Sequence, residues 1–145
     1  MSSFVLDASV AAKWFLPSAH EPLVIEALAL LRSYTQGQLR FIVPDLFWAE
    51  FGNVMWKAAR LGRCSRQEAE SAIAVMREHR VPAIASAILV KDAFAIAANF
   101  NRTVYDSIYV ALAVTSHTPL ITADEKLAGA LALYFPVKWL GAHLT

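Results

Sequence analysis

Apolar residues along this chain fall into two patterns. Short runs at Phe4 to Leu6, Arg40 to Val43, Pro119 to Thr122 and Val137 to Leu140 have the length and content of strands buried on both faces. Between them, apolar positions recur every three or four residues. That spacing predicts helices over Val10 to Leu16, Glu21 to Tyr34, Leu46 to Leu61, Arg66 to His79, Ile88 to Phe100, Tyr105 to Thr115 and Glu125 to Tyr134. Strands alternating with helices imply an α/β fold, a parallel sheet with helices on both faces. Punctuation agrees: Gly37 and Gly62 follow helical runs as C-terminal caps, and Ser65 with Glu68 has capping-box spacing. Thr103 with Asp106 and Thr122 with Glu125 share that spacing.

In an open parallel sheet, ligands bind beyond the carboxyl ends of the strands, where the strand order reverses. Asp7 directly follows the first apolar run, and Asp124 comes two residues after the run that ends at Thr122. Asp106 sits in the first turn of an otherwise apolar helix entered from the same edge. Glu50 is the one acid in the apolar stretch Leu46 to Met55, where a carboxylate costs stability unless something compensates it. Each acid taken singly has a local explanation. Asp106 fits a capping box, Asp124 a first-turn acid favoured by the helix dipole, Asp7 a helix cap, and Glu50 a polar stripe with Leu46, Asn53 and Lys57. The weight comes from the conjunction, since four separate elements each deliver one acid toward one sheet edge.

Composition narrows the classes. The chain has 145 residues, enough for one domain spanning 1–145 that buries roughly 70% of its extended surface. No linker, repeat or low-complexity tract divides it. Apolar residues make up 57% of the chain, but the longest uncharged run, Ser107 to Ala123, is 17 residues and is interrupted by His117 and Pro119. A spanning helix needs about 20 apolar residues, so the expectation is a soluble protein with an apolar face covered by a second copy or a partner. Met1-Ser2-Ser3 lacks the basic start of a signal peptide, so the expected location is the cytoplasm. Cys64 has no disulfide partner, and His20, His79, His117 and His143 form no ligand pattern. A net charge of +1 gives no global attraction to nucleic acid, so binding of a polyanion would need local cations or a metal.

Carboxylates crowded together repel one another, and a divalent cation removes the conflict. Oxygen ligands without Cys or His favour Mg2+ or Mn2+ over zinc, and such ions suit phosphodiester hydrolysis. The residues that carry these features are Val5-Leu6-Asp7-Ala8-Ser9 through Trp14, Pro44-Asp45-Leu46 through Glu50 and Asn53, Tyr105-Asp106-Ser107-Ile108-Tyr109 through Ala113, and Leu120-Ile121-Thr122-Ala123-Asp124 through Leu127. In order and spacing they resemble the PIN-domain nucleases, and among them the toxin halves of VapBC toxin–antitoxin pairs. The resemblance implies a three-layer α/β/α fold with a central, mainly parallel five-stranded sheet. It implies endoribonuclease activity through water activated by Mg2+ or Mn2+, a cognate VapB-type antitoxin and a homodimer. Carried over by position, Asp7, Asp106 and Asp124 would bind metal, Glu50 would hold or polarise water, and Ser9, Asn53 and Thr122 would support them. Lys126 stands where many members carry another acid or amide, which points to a single principal metal.

Lys57, Arg60, Arg63 and Arg66 recur every three residues and could track an RNA backbone, although cations also collect at helix C-termini. Lys13 and Trp14 follow the first acid, where a cation and a stacking ring could meet RNA, although Trp14 also fits the core. Two rival readings remain: a catalytically inactive PIN-like scaffold, and a receiver-like phosphoacceptor. Receivers place paired acids after the first strand, whereas Asp7 stands alone.

Overall fold

Five strands, β1 (Ser2–Leu6), β2 (Leu39–Pro44), β3 (Ala83–Ile84), β4 (Leu120–Thr122) and β5 (Val137–Trp139), form one sheet in the order β3-β2-β1-β4-β5. Every pairing is parallel, with Val5 opposite both Ile42 and Leu120, and Val43 opposite Ala83. Seven α-helices connect them in the computed structural model, which describes residues 1–143: α1 (Ala8–Ala12), α2 (Val24–Thr35), α3 (Leu46–Arg60), α4 (Arg66–Glu78), α5 (Ser86–Phe100), α6 (Val104–Thr115) and α7 (Glu125–Leu131). Leu144 and Thr145, the end of the expected 1–145 span, lie outside the described residues.

Alternation along the strands sorts the side chains into two cores. Phe4, Leu6, Phe41, Val43 and Ile121 face one side and pack with Phe47, Phe51, Met55 and Met76 of α3 and α4. Val5, Leu120 and Val137 face the other side and pack with Leu89, Ile96, Leu127 and the α6 run Ile108 to Ala113. The result is helix, sheet, helix. Phe47 and Phe51, one turn apart and both 0% exposed, stack with ring centroids 5.8 Å apart. Burying each is worth about 2 kcal/mol, and together they fix the face of α3 that turns inward.

The helix ends follow backbone chemistry. Gly37 and Gly62 adopt φ of +74° and +73°, and each closes a double bond pattern: Gln38 N to Ser33 O with Gly37 N to Tyr34 O, and Arg63 N to Ala58 O with Gly62 N to Ala59 O. The Ser65–Glu68 capping box forms in both directions. The helix expected from Glu21 begins instead at Val24. Pro22 disfavours helical backbone at Glu21, and Leu23 turns the chain at φ +62°. The helix expected to run from Val10 to Leu16 begins at Ala8 and ends at Ala12, giving way to turns.

Between β1 and β4 the connectivity reverses, since β2 and β3 lie on one side of β1 while β4 and β5 lie on the other. The carboxyl ends of these two neighbours therefore flank the position where an open α/β sheet binds ligands.

Candidate active site

Asp7 leaves β1 and caps α1. Its Oδ1 accepts a hydrogen bond from the Ser9 amide at 3.3 Å, and its Oδ2 accepts one from Thr122 Oγ1 at 2.7 Å. Thr122, the fully buried last residue of β4, also accepts from the Asp124 amide at 3.1 Å, and Ser9 Oγ accepts from the Ala123 amide at 3.2 Å. Two hydroxyls thus lace the β1–α1 turn to the β4–α7 turn. The anticipated Thr122–Glu125 capping box does not form, because the helix begins later, with Asp124 as its cap. Asp124 itself caps α7, its Oδ1 accepting from the Leu127 amide at 3.0 Å.

Asp106 enters from α6. Thr103 Oγ1 accepts its amide at 3.0 Å without a return bond from the acid, so capping does not consume the carboxylate. Glu50 reaches in from α3, with Oε1 buried and without a hydrogen-bond partner. That orphan removes Glu50 from a solvent-facing stripe, whereas Asn53, one turn further on, is exposed.

The electrostatics tie these acids into one neighbourhood. Burial raises the Asp7 carboxyl above its ordinary range against the pull of the Thr122 and Ser9 bonds, and the charge of Asp106 raises it further. Burial also raises Asp106, reinforced by Asp124 and opposed by Arg102. Glu50 is raised by burial and then by Asp7 and Asp106, while the Tyr109 hydroxyl works the other way. Every acid therefore feels at least one of the others. An unpaired cluster of this kind is a charge imbalance that a cation or protons must relieve.

The arrangement is not a closed cage. Among the described residues, no three acidic, histidine or cysteine side chains stand together in a ligating arrangement. The donor set nevertheless fits a hard divalent cation: it is all oxygen, the Asp7, Glu50 and Asp106 carboxyls are raised by burial and by neighbouring acids, and Glu50 Oε1 is buried without a well-formed bond. A surface groove of about 710 Å³ between α7 and β5 reaches toward this neighbourhood through Glu125 and is lined mainly by small and apolar residues.

The basic residues divide. Lys13 is 6% exposed, and its ammonium donates to Glu21 Oε1 at 2.6 Å. This placement counts against its expected contact with RNA, because the charge is buried and already neutralised. Trp14 belongs to the core, donating from Nε1 to Ala27 O at 2.8 Å and packing on Phe41. Lys57, Arg60, Arg63 and Arg66 are exposed; Arg60 lies over the Trp56 ring at 5.2 Å, and Arg66 is tied to Glu70.

Two side chains near the acids escaped the sequence reading. Tyr109 is 2% exposed, and its buried hydroxyl has no hydrogen-bond partner. Its spacing of three from Asp106 puts both on one face of α6, a signal hidden because an aromatic in an apolar helix reads as core. Arg102, whose Nε is also buried without a partner, pulls the Asp106 carboxyl down. It follows Asn101, which ends α5 at φ +55°, and no local pattern marks it.

Comparison with known proteins agrees with this architecture. The PIN domain family model matches residues 4–130. Ribonuclease VapC3 of Pyrobaculum aerophilum is 33% identical over 126 residues, covering 86% of this chain and 91% of that protein. Ribonuclease VapC1 of Mycobacterium tuberculosis is 32% identical over 98 residues, covering 66% of this chain and 71% of that one. The crystal structure of PAE2754 from Pyrobaculum aerophilum superposes with a TM-score of 0.64 at 22% identity, covering 89% of this chain and 79% of that one, a likeness of fold. The chain belongs to the PIN-domain family, as a nuclease of the VapC type.

Proposed function

We propose that this chain is a metal-dependent endoribonuclease and the toxin component of a type II toxin–antitoxin pair, built as a single PIN domain over residues 1–145. The observation that carries the reading is the convergence of Asp7, Glu50, Asp106 and Asp124, from four separate elements, at the reversal point of the sheet. Relatives named ribonucleases support RNA as the substrate.

In this reading Asp7, Asp106 and Asp124 hold one Mg2+ or Mn2+. When bound, such an ion lowers the pKa of water and neutralises charge on the leaving oxygen. Thr122 and Ser9 fix the two oxygens of Asp7, and Glu50 orients the attacking water and accepts its proton. Asn53, exposed one turn beyond Glu50, is a polar contact at the rim. Lys57, Arg60 and Arg63 follow the RNA backbone, with Trp56 as a stacking surface beside Arg60. Exposed Ile88 and Phe94 on α5 belong to the homodimer contact, and a VapB-type antitoxin is the second partner. No helix among the described residues is long and apolar enough to cross a membrane, and the proposed location is the cytoplasm.

The lack of a closed ligand cage favours one rival, an inactive PIN scaffold. Incubation of the purified chain with RNA in Mg2+, Mn2+ or chelator separates the two. The nuclease reading predicts cuts that need the ion and vanish in Asp7→Asn while that variant stays folded. Cutting that persists in chelator, or no cutting by the folded wild type, would contradict it.

A further inference from the structure

Tyr109 presents a contradiction that packing alone does not resolve. Its ring is buried in the core beneath α6, yet its hydroxyl is sealed from solvent with no hydrogen-bond partner. Glu50 Oε1, carried by α3 from the other side of the sheet, is sealed and lacks a well-formed bond in the same way. The two side chains are close enough for the Tyr109 hydroxyl to act on the Glu50 carboxyl as a hydrogen-bond donor, short of well-formed geometry, and the hydroxyl also lies by the Ala8 amide and within reach of the charge of Asp7. One orphan is a donor and the other an acceptor, both against the acid cluster. A phenylalanine would fill the same space without stranding a polar atom.

Resting on the nuclease reading above, we propose that Tyr109 is a positioning residue, its hydroxyl holding the Glu50 carboxylate in its working orientation. Tyr109 is too buried to touch RNA, so it acts through Glu50. Its place three residues after Asp106 on α6 couples it rigidly to the helix that delivers that acid, so one helix positions both. Carboxylates that orient a nucleophile depend on such support, and its loss typically lowers activity about 10–100-fold.

The test is Tyr109→Phe, which removes only the oxygen. Three readouts are needed: kcat and KM for RNA cleavage, Mn2+ affinity by calorimetry, and thermal unfolding of the metal-free protein in a cycle with Glu50→Gln. The expected result is a kcat lower by about 10–100-fold, with KM and Mn2+ affinity near wild type, and non-additive Tm shifts in the cycle. A purely structural tyrosine would instead lower Tm and weaken every property together, which would overturn the proposal. Unchanged kcat, or additive shifts in the cycle, would overturn it as well. Wild-type protein that cuts no RNA with any metal overturns the nuclease reading and this one together, whereas full cutting by Tyr109→Phe overturns this one alone.

Discussion

Replacing Thr122 by valine keeps the outline of a fully buried side chain and removes one hydroxyl that serves two elements at once. The bond from Thr122 Oγ1 to the Asp7 carboxylate is charge-assisted, and such bonds are worth about 1.5–3 kcal/mol. The Asp124 amide also loses its acceptor, at a further cost of about 1–3 kcal/mol where water cannot replace it. The added methyl returns about 0.8 kcal/mol. The net loss is roughly 2–5 kcal/mol, a fall in Tm of about 5–15 °C for a domain of this size. Calorimetric unfolding of metal-free wild type, Thr122→Val and Thr122→Ser at several pH values reads it, with serine retaining most of the stability. The deficit should also shrink on acidification. Protonating Asp7 removes the charged acceptor, and because its folded pKa is raised, the shrinkage begins above the ordinary carboxylate range. A deficit below about 0.5 kcal/mol, or one that stays constant between neutral pH and pH about 4, would refute the lacing of Asp7 to β4.

The same charges yield three further expectations. Asp106→Asn should abolish RNA cutting and weaken Mn2+ binding without lowering the metal-free Tm near neutral pH, because it removes a charge that burial and Asp124 disfavour; a large loss of Tm would mark Asp106 as structural. With Asp7, Glu50 and Asp106 all raised, the folded protein retains protons that the unfolded chain has released. Stability without metal should therefore fall as pH rises from about 4 through the raised values. The lowered Asp45 and Glu68 act below that window, and a metal-free Tm that climbs from pH 5 to 8 would contradict the cluster. Glu21→Gln leaves the buried Lys13 ammonium unpaired, and breaking a buried pair whose acid retains some solvent contact costs about 2 kcal/mol, measurable by urea unfolding.

How much was legible in the sequence followed from where the physical signal lay. Four strands were readable because burial on both faces forces an unbroken apolar run, as at Phe4 to Leu6 and Leu120 to Thr122. β3 was invisible to pattern because two residues at a sheet edge, Ala83 and Ile84, carry no periodicity; the fifth strand came only from the resemblance. Asp7, Asp106 and Asp124 stood out because each sits at a strand or helix junction, and Glu50 because it is the one acid in an apolar helical stretch. Local spacing misjudged their bonds. Thr122 and Glu125 have the separation of a capping box, yet Asp124 caps the helix while the Thr122 hydroxyl serves Asp7, 115 residues away. Lys13 failed as an RNA contact for the same reason, since the fold brings Glu21 to it across a turn. Tyr109 and Arg102 were missed because their roles rest on neighbours from other elements that no window along the chain contains.

The central claim is that three dispersed acids, Asp7, Asp106 and Asp124, share one hard cation beside Glu50. Titration of Mn2+ into metal-free protein by calorimetry tests it most directly, with Asp7→Asn, Asp106→Asn and Asp124→Asn measured alongside the wild type. The account predicts one site per chain in the wild type and markedly weaker binding in every variant, each still folded. Wild type that binds no Mn2+, or variants that bind it as tightly as wild type, would contradict the account.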